Sequence, residues 1–168
     1  AVRNKLHQVG GAYQETTIDY TKLIDELAGL PASLDDPALQ AFCRRAMQQH
    51  ASTRERLPIL EQIFSQALAP LTPVASLLDL ACGLNPLSLP WMPLAADAPY
   101  YACDIYSDQM EFLNRFLAHV GRPGRADHDT GRDPRCDRQG SDRRHLYPPV
   151  RRDGDVGRQP RQLLAHCL

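Results

Sequence analysis

Apolar positions in the first seventy residues recur at helical spacing: Tyr20, Leu23, Ile24, Leu27 and Leu30, then Leu39, Phe42 and Ala46, then Leu57, Leu60, Phe64, Ala67, Leu68 and Leu71. That period places each set on one face, so three amphipathic helices are predicted. Asp35 or Asp36 before Pro37 predicts the start of the second, because the carboxylate accepts an orphan N–H while proline sits where no N–H is needed. Ser52 or Thr53 is the expected cap of the third, with Pro58 near its first turn. Pro70 and Pro73 close the helical region.

From Val74 the pattern changes to a short apolar run through Leu80, which reads as a buried parallel strand. A Gly-Leu-Asn-Pro turn, a short helix near Leu87 to Leu94 and a second strand at Tyr100 to Asp104 follow. A helix is then predicted from Ser107, its candidate cap, to Val120, with Met110, Leu113, Phe116 and Leu117 on one face and Gly121 as its stop. Strand, helix, strand, helix is the opening of an α/β doubly wound fold. Beyond Gly121 the periodicity stops. Leu146, Tyr147, Val150 and Val156 assemble into no convincing strand, and only a few apolar residues at the very end could form one.

At 168 residues the chain is expected to hold one domain, or one domain plus an appendage. Its formal net charge of -1 hides an asymmetry. Residues 1–120 hold 8 Lys+Arg and 13 Asp+Glu, whereas residues 121–168 hold 11 Arg and 7 Asp with no Lys or Glu. The expected organisation is a helical region over 1–70, the start of a sheet domain over 71–120 and an irregular Arg/Asp-rich tail over 121–168. No apolar run is long enough to span a bilayer and no signal-like segment begins the chain, so a cytoplasmic protein without a membrane partner is expected. Five scattered cysteines lack a C-x-x-C pair and six histidines lack ligand spacing. Reduced thiols and no metal are the expectation.

The segment Asp79-Leu80-Ala81-Cys82-Gly83-Leu84-Asn85-Pro86 puts an acidic residue in a strand before a turn of small residues, which lets backbone approach a nucleotide-like ligand. Asp104 ends the next strand, where a carboxylate can accept hydrogen bonds from ribose hydroxyls. The bland alternative is that Asp79 and Asp104 cap loops and Gly83 makes a turn. The absence of G-x-G-x-x-G argues against a nicotinamide or flavin enzyme.

The D-L-A-C-G turn resembles the D-x-G-C-G motif of class I S-adenosylmethionine-dependent methyltransferases, with Ala81 where glycine is usual and Asn85-Pro86 at the third small position. Together with His50-Ala51-Ser52-Thr53-Arg54-Glu55-Arg56-Leu57, the run through Leu87 resembles the aminoglycoside-resistance 16S rRNA guanine N7 methyltransferases. The resemblance covers roughly residues 3–120. It implies a helical N-terminal ribosome-docking extension followed by the first part of a Rossmann-like parallel sheet. It further implies the cofactor S-adenosyl-L-methionine and, as partner, 16S rRNA within the 30S subunit. By the same resemblance His50, Ala51, Ser52, Thr53, Arg54, Glu55 and Arg56 line the cofactor site, with Arg54 or Arg56 facing the methionine carboxylate. Asp79, Ala81 and Gly83 border the cofactor, Asp104 binds its ribose, and Tyr13 packs on the cofactor or target base. No catalytic side chain is expected, because guanine N7 carries a lone pair and the sulfonium is already an alkylating agent. Positioning and exclusion of water suffice.

Members of that family continue with further strands and a Ser-Leu-Gly-Gly segment, which this sequence lacks. An Arg/Asp/Gly/Pro-rich run is what a shifted frame of a GC-rich gene encodes. The expectation is therefore an out-of-frame tail from about Gly121. The alternative function is a non-catalytic remnant, or a helical module binding RNA or another partner.

Overall fold

The computed structural model describes residues 18–128 and the backbone of 161–166. Helix α1 spans Tyr20–Ala28, with Asp19 accepting the Lys22 N–H at its start (3.0 Å). Helix α2 spans Pro37–Met47, and Asp36 caps it by accepting from Ala38 (2.8 Å), as the Asp-Pro pair predicts. The third predicted helix is divided in two. Helix α3 covers Ala51–Arg56, a 3-10 turn covers Leu57–Ile59, and α4 covers Leu60–Leu68. Pro58 explains the division, since it donates no N–H and its ring crowds the preceding turn. The cap of α3 is His50, not Ser52 or Thr53. Thr53 lies inside the helix, buried, and its hydroxyl donates to the Met47 carbonyl (2.7 Å), tying α3 to the end of α2.

Strands β1 (Val74–Leu80) and β2 (Tyr100–Asp104) fall where the apolar runs predict and pair in parallel, with Asp79 opposite Ala102. The short helix between them is a 3-10 segment at Asn85–Trp91 rather than a helix over 87–94. Pro90, inside the segment, denies it an α-helical hydrogen bond, whereas Pro86 sits in its first turn where no N–H is needed. Helix α5 runs over Ser107–His119. Its cap position belongs to Tyr106 and Ser107 is its first residue, while Asp108 accepts the Gln109 N–H (2.9 Å). Gly121 and Arg122 donate back to Ala118 (3.2 Å) and Leu117 (2.9 Å), closing the helix at the predicted stop in a Schellman motif.

Two strands lie in the region expected to be irregular. Strand β3 (Gly124–His128) pairs in parallel with β2, and β4 (Arg161–His166) pairs in parallel with β1. The sheet order is β3-β2-β1-β4. Arg122, 8% exposed, donates to the carbonyls of Ala95, Ala96 and Ala98. The Asn114 side chain grips Ala126 of β3 through both its N–H (2.9 Å) and its carbonyl (2.8 Å). Structure integrated with the core therefore continues to His128, past the break in composition.

One hydrophobic core runs through helices and sheet, from Ile18 to Ala126. Phe112 of α5 meets Tyr20 of α1 (ring centroids 5.6 Å) and Phe42 of α2 (6.4 Å, edge-on). Arg44 lies over the Trp91 ring at 4.4 Å, joining α2 to the 3-10 segment. The helical region thus seats directly on the sheet domain, next to the carboxyl ends of β1 and β2.

Candidate functional site

In an open parallel sheet, ligands bind outside the carboxyl ends of the strands, where the connecting turns leave backbone exposed. Here β1 gives way to Ala81-Cys82-Gly83, with Ala81 at φ 53° and Gly83 at φ 52°. Ala81 is exposed and holds a left-handed backbone that L-residues adopt at a cost. Gly83 is buried, and a Cβ there would meet the His50 ring at 2.9 Å. That close approach joins the two sequence motifs. Residues 50–56 and 79–87 meet where the imidazole lies on the Gly83 backbone.

Asp104 ends β2 and closes the loop. Its Oδ2 accepts the Gly83 N–H (2.8 Å) and its Oδ1 the Ile105 N–H (2.7 Å). The half-buried carboxylate is fixed in orientation, and each oxygen retains a lone pair for a further donor. Beside it Ile105 is 53% exposed, an apolar side chain at the mouth of the site. Asp79 is 2% exposed and turned inward, its Oδ2 accepting from Asn85 Nδ2 (2.8 Å) and the Tyr100 hydroxyl (2.6 Å). Burial raises its pKa above the ordinary carboxylate value, against those two hydrogen bonds and the nearby Arg56 charge. Asp79 thereby holds the 3-10 segment against β2.

His50 is 6% exposed, and its Nδ1 lies 3.0 Å from the Ser52 hydroxyl. Burial lowers its pKa, opposed by Asp104 and assisted by Arg56, so the ring is neutral near pH 7. Arg56 is half-buried and its Nε donates to the Ser52 carbonyl (2.9 Å), laying the guanidinium along α3. Its charge reaches both His50 and Asp79, whereas Arg54 and Glu55 are exposed. Of the two arginines left open by the sequence, Arg56 is the half-buried one whose charge couples to His50 and Asp79. Ala51 is half-buried at the first position of α3. Tyr13 lies outside the described residues.

Sequence reasoning missed Gln109 and Tyr20. Gln109 is fully buried, and its Nε2 donates to the Gly83 carbonyl (2.8 Å) while its Oε1 accepts from the Tyr20 hydroxyl (3.2 Å). A glutamine in a helical run and a tyrosine on an apolar face carry no signal of such a link. Cys43 and Cys82 are buried free thiols. Burial pushes the Cys43 thiol up to about 12 and Cys82 higher still, so neither is a nucleophile at neutral pH. Among the described residues no cluster could hold a metal ion, and no helix is long and apolar enough to cross a membrane.

The sequence model of the ribosomal RNA methyltransferase (FmrO) family matches residues 1–133. The chain belongs to this family. The match includes Arg122 and all of β3, which moves the end of family resemblance beyond residue 120. The 16S rRNA (guanine(1405)-N(7))-methyltransferase of Frankia casuarinae is 42% identical over 116 residues, covering 68% of this chain and 41% of the relative. The enzyme of that name from Micromonospora rosea is 38% identical over 117 residues, 69% of this chain and 43% of its own. Among solved structures, the 16S rRNA methyltransferase RmtF in complex with S-adenosyl-L-homocysteine superposes with TM-score 0.53 at 34% identity, covering 76% of this chain and 45% of RmtF. The 16S rRNA methylase RmtB gives TM-score 0.57 at 27% identity, covering 80% of this chain and 48% of RmtB. The chain thus spans less than half the length of these FmrO-family relatives.

Proposed function

We propose that this chain builds the cofactor-binding part of an S-adenosylmethionine-dependent methyltransferase acting on guanine N7 of 16S rRNA in the 30S subunit, a modification that gives aminoglycoside resistance. The observation that carries this reading is the meeting of His50 with Gly83, which gathers Asp104 and Arg56 around one loop at the carboxyl ends of β1 and β2. The donor set suits the molecule. Asp104 would accept from ribose hydroxyls, Arg56 would face the carboxylate of the methionine portion, and exposed Ile105 offers an apolar surface to a flat base. When bound, the cofactor supplies an electrophilic methyl group on a sulfonium. The protein's part is to orient that group and keep water away, for which no proton-transferring side chain is required.

Calorimetric titration with S-adenosylhomocysteine tests the cofactor reading, with saturable binding expected. Incubation with isolated 30S subunits and labelled cofactor then tests the reaction. Because the chain spans less than half of its relatives, saturable binding without methylation of 30S would assign it a non-catalytic binding role. No saturable heat would overturn the cofactor reading.

A further inference from the structure

Gly83 is held from both sides, its N–H donating to Asp104 and its carbonyl accepting from Gln109 Nε2 (2.8 Å) and, at longer range, from the Cys82 thiol (3.4 Å). The Gln109 amide has only one consistent orientation. A carbonyl oxygen can only accept, so the NH2 must face Gly83, and the amide oxygen then faces the Tyr20 hydroxyl, which must donate. Tyr20 belongs to α1 and is itself packed on Phe112. A chain of donors therefore runs from the helical region through α5 into the loop that fixes Asp104.

We propose that Gln109, oriented by Tyr20, is a positioning residue for the cofactor loop, and that through it the seating of α1 sets the geometry of Gly83 and Asp104. The ligand readout rests on the cofactor reading above; the loop readout does not. A glutamate at position 109 keeps the shape and makes the donor titratable. Ionised, it can only accept and would face a carbonyl oxygen; protonated, its O–H restores the donor. Tyr20 from α1 contacts this position, Asp108 and Tyr106 at the start of α5, Asp104 from β2 and Cys82 from the loop act electrostatically on Tyr20, and His50 lies across Gly83. All are also present in the wild-type chain, so the ratio of the two affinities isolates the substituted group.

The wild-type and Gln109→Glu chains are titrated with S-adenosylhomocysteine from pH 5.5 to 8.5, and amide exchange at Gly83 is followed by NMR without ligand. The variant is expected to bind roughly tenfold more weakly at pH 8.5 and to recover toward wild type at pH 5.5, with Gly83 exchange at pH 8.5 about tenfold faster than in the wild-type chain at the same pH. A purely structural role would lower Tm without making the affinity ratio depend on pH. Tyr20→Phe keeps the ring on Phe112 and removes the donor, so a loss of roughly threefold to tenfold is expected there. It decides the matter alone if Gln109→Glu does not fold. Wild-type affinity at every pH with unchanged Gly83 exchange, in whichever variants fold, overturns the proposal. If the wild-type chain shows no saturable heat, the cofactor reading fails and the Gly83 exchange rates decide the positioning claim by themselves.

Discussion

Arg56 and Arg54 are two residues apart on one short helix; Arg54 is exposed, whereas Arg56 is half-buried and its charge couples to His50 and Asp79. Arg56→Ala should weaken S-adenosylhomocysteine by about 1.5–3 kcal/mol, the range of a hydrogen bond to a charged group, while Arg54→Ala changes it much less. Calorimetry on both variants checks this, and the reverse order would move the carboxylate contact to Arg54. His50 carries a stability prediction of definite sign. Its pKa is lowered in the fold, so below its ordinary value near 6.5 the unfolded chain takes up a proton that the folded chain refuses. Stability is full above that value and declines as pH falls from 7 toward 5. His50→Gln should flatten the profile over that window in urea melts. Ala81→Gly should stabilise the fold by about 0.5–1 kcal/mol, the relief of a left-handed alanine less the added freedom of the unfolded chain. The acidic residues and the arginine pair were legible because charge inside or beside an apolar run is conspicuous. Gln109 was not, because its role depends on a carbonyl that only the folded loop presents.

Strands β1 and β2 were readable as continuous apolar runs because both are interior strands of the sheet. Strand β3 reads Gly-Arg-Ala-Asp-His and buries only Ala126 fully, so no hydrophobic pattern announces it. It is an edge strand set by backbone pairing and by the Asn114 amide. Its first residue must be glycine, since a Cβ on Gly124 would lie 1.9 Å from the Tyr100 carbonyl oxygen. Gly124→Ala should therefore cost on the order of 3 kcal/mol and expose the β2 edge to hydrogen exchange. A variant with wild-type Tm would remove β3 from the working fold. The third helix was misread for the opposite reason. Its apolar period runs unbroken through Pro58, and periodicity does not register a missing N–H.

Helices and sheet share one core, so a ligand held at the loop stabilises the whole chain and not the sheet alone. S-adenosylhomocysteine at one hundred times its Kd should add about 2.7 kcal/mol to unfolding, several degrees in Tm. A melt that separates into two transitions, only one of them ligand-dependent, would show that the helical region unfolds independently. Strand β4 lies on the far side of β1 from β2 and β3, although it follows both in sequence. The chain must travel from one margin of the sheet to the other before β1 gains its second neighbour. Closing so long a span is entropically late in folding. The β1–β4 pairing is thus the last part of the sheet to form, so hydrogen-exchange protection of the β4 backbone would report on completion of the sheet rather than merely on formation of the loop.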